Sequence, residues 1–597
     1  MGAAEPFLDV ARSATGRVWR SRDGDERLAL ALAQRLGVPD VIGRVLAGRG
    51  VALEGAEAFI APRIKEAMPD PSHLLDMDRA AARIAAAIQQ DEAVAVFGDY
   101  DVDGATSSAL MRRFFEAVGG RLRIYIPNRL TEGYGPNAAA LEKLAADGVG
   151  LVVTVDCGTM AFEALARAAA IGLDVVVVDH HQAEPRLPEC LALVNPNRLD
   201  ETSPHRALAA VGLTFLLLVA VNRALREAGW YRDRAAPDLL GWLDLVALGT
   251  VCDVVPLTGL NRALVTQGLK VMAERRNTGL RALADVARLE ARPGAFHLGY
   301  ILGPRINAGG RVGEADLGAR LLTTDDWEEA QGIAQTLDRL NAERRAIEGL
   351  VLDQAARQAA DKAATDPALV LVSGEGWHEG VLGIVASRLK DTYRRPTFVL
   401  GAKDGIAKGS GRSIPGVDLG AAVTAARQAG ILQNGGGHAM AAGLTVAADR
   451  VTELEAFLTA RLAPEVAGAP ARDQLNLDGA LQVGAATREL YDLLETIGPY
   501  GAGHPEPRFA LADARVVRAD VVGGDHVRVV LSGTSGKGRL KGIAFRAAGT
   551  PLGRALAESG GAGLHLAGHL RADDWKGRSG VQLVIEDAAP IARGAAA

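Results

Sequence analysis

At 597 residues the chain exceeds what one hydrophobic core can serve, so three or four domains are expected. A 48% hydrophobic content excludes global disorder. The formal charge of -6 argues against a nonspecific DNA coat, which needs Lys and Arg, but leaves room for a basic channel inside an acidic total.

In chain order, the start MGAAEPFLDV lacks the basic and apolar regions of a secretory signal, and residues 1–80 look helical without a recognisable site. From 81 to 325, β-rich runs alternate with Ala-rich helical stretches. Strands are expected at 93–97, 123–127, 151–155 and 174–178, and a weaker one at 191–196; helices at 104–118, 136–147 and 160–171. This alternation builds βαβ units and a parallel sheet. The apolar run 213-LTFLLLVAV-221 is short of the ~20 residues that span a bilayer, so a soluble cytoplasmic protein without a membrane partner is expected. Cys157, Cys190 and Cys252, with no CxxC pair, fit a reducing compartment. The stretch 326–364, free of Pro and dense in Ala, Glu, Arg and Leu, predicts one long connecting helix. A second α/β unit follows over 365–462, with strands at 368–373 and 397–401, and 463–473 is a linker. Over 474–597, Val-containing strands at 515–522, 526–533, 564–570 and 581–587 predict a small β-barrel.

The chemistry gathers where strands end. The first runs into 98-GDYDVDG-104, the third into 156-DCG-158, the fourth into 179-DHH-181, and the apolar run 243–252 delivers Asp253. Carboxylates and imidazoles at the carboxyl ends of parallel strands are how an open α/β sheet holds metal and phosphate. If 98–104 is extended, Asp99, Asp101 and Asp103 share a face, where their repulsion calls for divalent cations. Extended neighbours point opposite ways, so one of His180 and His181 faces metal and the other substrate, while Asp179 orients an imidazole. Glycines in 409-GSGRSIPG-416 let amides approach an anion that Ser410 and Arg412 can grip. In the barrel, six basic residues and no acid lie between His526 and Ala557, with Phe545 or Trp575 placed to stack bases. The GK of 533-GTSGKGRL-540 lacks the spacing of a phosphate-binding loop, which disfavours an ATP-driven motor.

Together GDYDVDG, VDCG, DHH and 435-GGGHAMAAG-443 resemble the DHH phosphoesterase superfamily with its associated second (DHHA1-like) domain, over about residues 80–450. The segments 127-PNRLTEGYGPN-137, 249-GTVCDVVPL-257, 303-GPRINAGGRVG-313, 376-GWHEGVLGIVASRL-389 and 409–416 resemble its single-strand-specific 5′→3′ DNA exonucleases, and the barrel suits an oligonucleotide-binding (OB) fold. The resemblance implies two Mn²⁺ or Mg²⁺ ions: Asp101 on the first, Asp103, His180 and Asp253 on the second, Asp156 bridging. Some relatives place a His where this chain has Phe97, so Asp99 or water would substitute; Asp99 and His181 are the remaining catalytic candidates. Arg129, Arg311, Ser410 and Arg412 would form a 5′-phosphate pocket, with His438 and His378 on the substrate phosphates.

The expected activity is two-metal hydrolysis of single-stranded DNA to 5′-mononucleotides in repair and recombination. The expected partners of a monomer are single-stranded DNA, a single-strand-binding protein and a helicase. The alternatives are a small-substrate DHH phosphoesterase, acting on oligonucleotides, cyclic dinucleotides or pyrophosphate, and a non-catalytic scaffold, against which the full ligand set argues.

Overall fold

A computed structural model describes residues 5–22, 24–128, 131–365, 368–469, 474–533, 538–574 and 580–591. Its first sheet is parallel: β1 Ala93–Gly98, β2 Arg121–Tyr125, β3 Leu151–Val155, β4 Asp174–Val178 and β5 Ala192–Val194, in the order β2-β1-β3-β4-β5. β3 is buried along its whole length, as a strand covered on both faces must be. Alternate residues feed two cores. Val94, Val96 and Val153 pack under the helices Val102–Val118 and Ala210–Glu227, whereas Ala95, Phe97 and Val152 pack against Leu141, Leu144 and Leu165 on the other side. Because β1 lies between β2 and β3, the order in which strands are added reverses there, and the crevice at the carboxyl ends of β1 and β3 is where such a sheet binds ligands.

The long helix is present as Trp327–Thr365. It leads to the second α/β unit: β6 Val370–Glu375, β7 Thr397–Lys403, β8 Ile406–Arg412, β9 Asn434–His438 and β10 Ala441–Ala447, ordered β9-β10-β8-β7-β6. Part of the expected linker is helical, since Val451–Gly468 continues through Pro464; residues 470–473 lie outside the described ones. The C-terminal strands are β11 Gly479–Leu481, β12 Phe509–Val522, β13 His526–Gly533, β14 Arg539–Ala544, β15 Gly563–Ala572 and β16 Val581–Pro590. β12 pairs with both β13 and β15, and β14 with β16, which closes a five-stranded barrel.

The N-terminal segment holds more than helices. Val18–Ser21 pairs in parallel with Gln474–Leu477, and buried Trp19 donates its indole N–H to buried Asp587 at 3.0 Å. Ile42, Val45 and Leu46 join the barrel core beside Leu531, Leu566 and Ile585. Asp478 receives both Arg49 and Arg22. The two ends of the chain therefore form one body.

That body is fastened to the first α/β unit by Arg262, which is 1% exposed. Its guanidinium lies 3.9 Å over the Phe59 ring and donates to the carbonyls of Phe59, Ile497, Gly498 and Pro499. Arg262→Met keeps the length of the side chain but removes its donors and leaves buried carbonyls unpaired. It is expected to cost about 3 kcal/mol and to lower the thermal midpoint, with proteolysis first entering near 497–499. A melting curve and cleavage pattern like those of the parent would show that Arg262 is no fastener.

Candidate active site

Three loops and one helix end bring the charged groups together. After β1 the chain does not stay extended: Asp101 is the N-cap of the Val102–Val118 helix, accepting the Gly104 N–H at 3.1 Å, and Asp103 lies in its first turn. The alternating-face argument for Asp99, Asp101 and Asp103 is therefore replaced by a cap-and-turn arrangement. Gly104 serves by close approach, since a Cβ there would sit 2.4 Å from the carbonyl oxygen of Asp99. Asp103 is buried, and its two oxygens accept the N–H groups of Ala210 and Val211 at 2.7 and 2.8 Å, which caps a second helix.

Asp156 follows β3 in the left-handed region, φ 61°, which Asp tolerates better than most residues. Asp253 does not end a strand. Residues Leu243–Cys252 form a helix whose C-cap is Asp253, because this stretch is apolar all round and packs between other helices. Gly249 lets that helix close on the first loop: a Cβ there would meet Thr106 Oγ1 at 2.4 Å and Asp103 Oδ1 at 3.1 Å.

His180 Nε2 is the meeting point. It lies 3.3 Å from Asp156 Oδ1, 3.7 Å from Asp253 Oδ2 and 3.9 Å from Asp103 Oδ2. His180 Nε2, Asp156 Oδ1 and Asp253 Oδ2 are all buried and make no hydrogen bond among the described residues. Such orphaned atoms are expensive unless something else satisfies them. At 3.3–3.9 Å from His180 Nε2 the carboxylate oxygens make no hydrogen bond to it, but the spacing suits neighbouring ligands of one cation at about 2.1 Å. One atom each of Asp99, Asp101 and Asp156 also converges within 4.8 Å, so Asp156 is common to two groups, the other centred on His180. Phe97 is buried and stacked on Tyr125 at 5.2 Å, and Asp99 is the nearby residue that joins Asp101.

The electrostatics agree. Burial, and then the neighbouring carboxylates, hold Asp103 and Asp156 well above the usual carboxylate range. Burial and Asp101 push Asp253 up to about 7, and burial pulls His180 down to about 4. The adjacent histidines do not point opposite ways: their ring centroids are 4.7 Å apart. Asp179 explains this. Its Oδ1 accepts the backbone N–H groups of His180 and His181 and pairs with His181 Nδ1 at 2.7 Å, folding both rings to one side. Burial opposes the charge on His181, but Asp179 outweighs it and raises His181 to about 9.

Three residues that the sequence analysis gave no role complete this frame. Asn195 and Asn197 donate from Nδ2 to the carbonyls of His181 and His180 at 2.8 and 2.6 Å, and the Tyr134 hydroxyl donates to the carbonyl of Asp156 at 3.1 Å. Sequence reasoning passed over them. Tyr134 lies in the quoted segment 127–137 and Asn195 in the expected strand 191–196, but neither was given a role, and Asn197 lies in neither.

The anion-gripping candidates gather along the Glu379–Tyr393 helix. Arg311 Nη1 donates to the carbonyl of Gly380, and Ser410 and Arg412 share a 3.1 Å hydrogen bond beside Gly383, where a Cβ would collide with both. His438 is in register with Arg412 through Ala441, so the two emerge on one sheet face. His378 caps the helix, its Nδ1 accepting the Gly380 N–H at 3.1 Å. Arg129 lies outside the described residues. The group adjoins the acidic cluster: Asn307, on the Arg311-bearing helix Gly303–Val312, accepts the Val102 N–H at 3.1 Å.

The barrel's basic stretch is less free than its sequence suggests. Arg528 and Lys541 reach Asp520 and Asp573, acids from outside the stretch. Arg539, Arg546, Arg554 and Phe545 are exposed, while Lys537 and Trp575 lie outside the described residues.

Residues 93–250 match the DHH family N-terminal domain, 365–463 the DHHA1 domain and 477–587 the RecJ OB domain. The single-stranded-DNA-specific exonuclease RecJ of Dickeya dadantii is 37% identical over 85% of this chain and 89% of its own length; that of Escherichia coli is 34% identical over 96% and 99%. The crystal structure of RecJ from Thermus thermophilus in complex with Mn²⁺ superposes with a TM-score of 0.79 at 28% identity, covering 96% of this chain and 79% of that one; the same protein was also solved with Mg²⁺. With this identity over nearly the whole chain, and with the same succession of three domains, the protein belongs to the RecJ family of DHH exonucleases.

Proposed function

We propose that this protein is a metal-dependent exonuclease specific for single-stranded DNA, degrading it from the 5′ end to mononucleotides in repair and recombination. The observation that carries the reading is the trio of buried, unsatisfied ligand atoms around His180 Nε2, in a chain whose relatives are RecJ exonucleases. Asp103, His180 and Asp253 would hold one divalent ion, Asp101 and Asp99 another, with Asp156 between them. Oxygen-rich ligands with one imidazole suit Mn²⁺ or Mg²⁺, which would supply Lewis-acid activation of water and neutralise phosphoryl charge.

The chain's own groups do the rest. Asp179 holds His181 protonated, so its imidazolium can donate to a phosphoryl oxygen. Arg311, Ser410 and Arg412 would bind the 5′-terminal phosphate and so set which end enters, and His438 extends that face. His378 would act through the cap it makes rather than by touching phosphate. The expected compartment is the cytoplasm; no helix of the described residues is long and apolar enough to cross a membrane. A single-strand-binding protein and a helicase remain proposed partners of a monomer.

Three outcomes are expected. A uniformly labelled single strand with a 5′-phosphate should be degraded stepwise when Mn²⁺ or Mg²⁺ is added, whereas a duplex or a strand blocked at its 5′ end should not; equal attack from both ends would remove the polarity. Mn²⁺ should raise the thermal midpoint of the protein by relieving its buried repulsion, and Asp156→Asn should abolish both that rise and the hydrolysis; a rise that survives in the variant would place the metal elsewhere. Asp179→Asn should lower turnover about 10–100-fold with strand affinity kept, since it orients His181 without touching substrate; undiminished turnover would make Asp179 merely structural.

A further inference from the structure

Phe296 and Tyr300 are 55% and 74% exposed, and their rings stack on each other at 5.1 Å with a 28° tilt. Lone apolar residues on a surface need no explanation, but a stacked aromatic pair held in water does. The pair spans the turn of π-helix Leu298–Leu302, a form that proteins use sparingly and often at functional sites. Leu298 and Leu302 point inward and anchor the turn, leaving the aromatics outside. The turn sits on the residue before Asp253: Cys252 Sγ donates to the carbonyl of Leu298 at 3.4 Å, and a Cβ on Gly303 would lie 2.5 Å from that sulfur. Val254, on the other side of Asp253, is 70% exposed and held at φ 61°, a rare conformation for a β-branched residue. The guanidinium of Arg571, from barrel strand β15, lies 5.8 Å from the Phe296 ring centroid. Among the described residues no carboxylate pairs with Arg571.

These groups form an aromatic column between the barrel and the residue before Asp253: Arg571 and Tyr300 each lie against Phe296, and most of Tyr300 stays open to solvent. We infer that the free face of Tyr300 stacks one nucleobase of the single strand on its way from the barrel to the candidate active site, with Phe296 backing the ring and Arg571 bracing the column from the barrel. A nucleobase is the occupant that fits, because it is a flat π-face carried on a polyanion and every base offers one, while a positive group stands at the column's end. This inference rests on the single-stranded-DNA reading above and adds to it a sequence-tolerant grip that operates beyond the phosphate contacts.

The test is anisotropy binding of a labelled single strand whose 5′ linkages are phosphorothioates that resist cleavage. Tyr300→Ala is expected to weaken binding about tenfold, the value of one base–aromatic stack, and Tyr300→Phe by no more than about twofold. Moving one abasic site along the strand should reveal a position at which the parent loses about as much, and at which Tyr300→Ala loses nothing further. Tyr300 is exposed, so its variants should melt like the parent. Parental affinity in Tyr300→Ala would overturn the inference, as would abasic losses that add in full to the variant at every position. A change in sedimentation without a change in strand affinity would also overturn it, by assigning the face to a second copy of the chain. If the parent neither binds nor degrades single strands, the functional reading falls as well; if it does both and Tyr300→Ala is unaffected, only the column falls.

Discussion

The structure turns on a repulsion it does not relieve by itself. Asp103, Asp156 and Asp253 crowd one neutral imidazole where solvent cannot screen them, and no Lys or Arg among the described residues pairs with any of the three. Burying like charges is among the costliest arrangements available to a protein, and it is kept only where surrounding structure enforces it. Here the enforcement is visible. Asp103 is clamped between two helix N-termini, Asp156 is fixed by a left-handed backbone, and Asp253 rides on a helix wedged close by a glycine. Stability is invested in holding these ligand atoms at the spacing a cation needs.

The surroundings follow the same logic at lower cost. Asp179 is as deeply buried as Asp103 and Asp156, yet it is satisfied by three backbone amides, those of Thr159, His180 and His181, and by an imidazole, and so stays below the usual carboxylate range. Two carboxylates on neighbouring strand ends thus behave in opposite ways, because one has hydrogen-bond donors, whereas the other is buried with an unbonded Oδ1 among further acids. Asn195 and Asn197 extend the frame by one layer, tying the backbone of both histidines to the end of β5.

Much of this was legible in the chain. Valine runs buried on both faces announce parallel strands, and acids or histidines directly after them mark the binding edge, so β1, β3 and β4 and their terminal residues could be found by period and position alone. The linking helix was equally plain. Asp253 was located but its carrier was not, because an apolar run of ten residues carries no period that separates a buried helix from a buried strand. The opposed histidines failed for a different reason: alternation describes residues inside a strand, and His180 and His181 lie past the end of one, where a side-chain acceptor directs the backbone. The asparagines, Tyr134 and Arg262 act through carbonyl groups, which leave no signature in a sequence. The freedom expected of Arg528 and Lys541 was lost to acids that are distant along the chain and close in space.

The parallel pairing of Val18–Ser21 with Gln474–Leu477 has a kinetic consequence. Those strands are separated by about 450 residues, so the opening segment leaves the ribosome long before its mate exists. Trp19 and the helices around Leu46, whose apolar faces end up against the barrel, must wait through the synthesis of both α/β units. This pairing can therefore form only after both α/β units have been made. Until then the apolar faces around Trp19 and Leu46 lack the barrel surface that buries them.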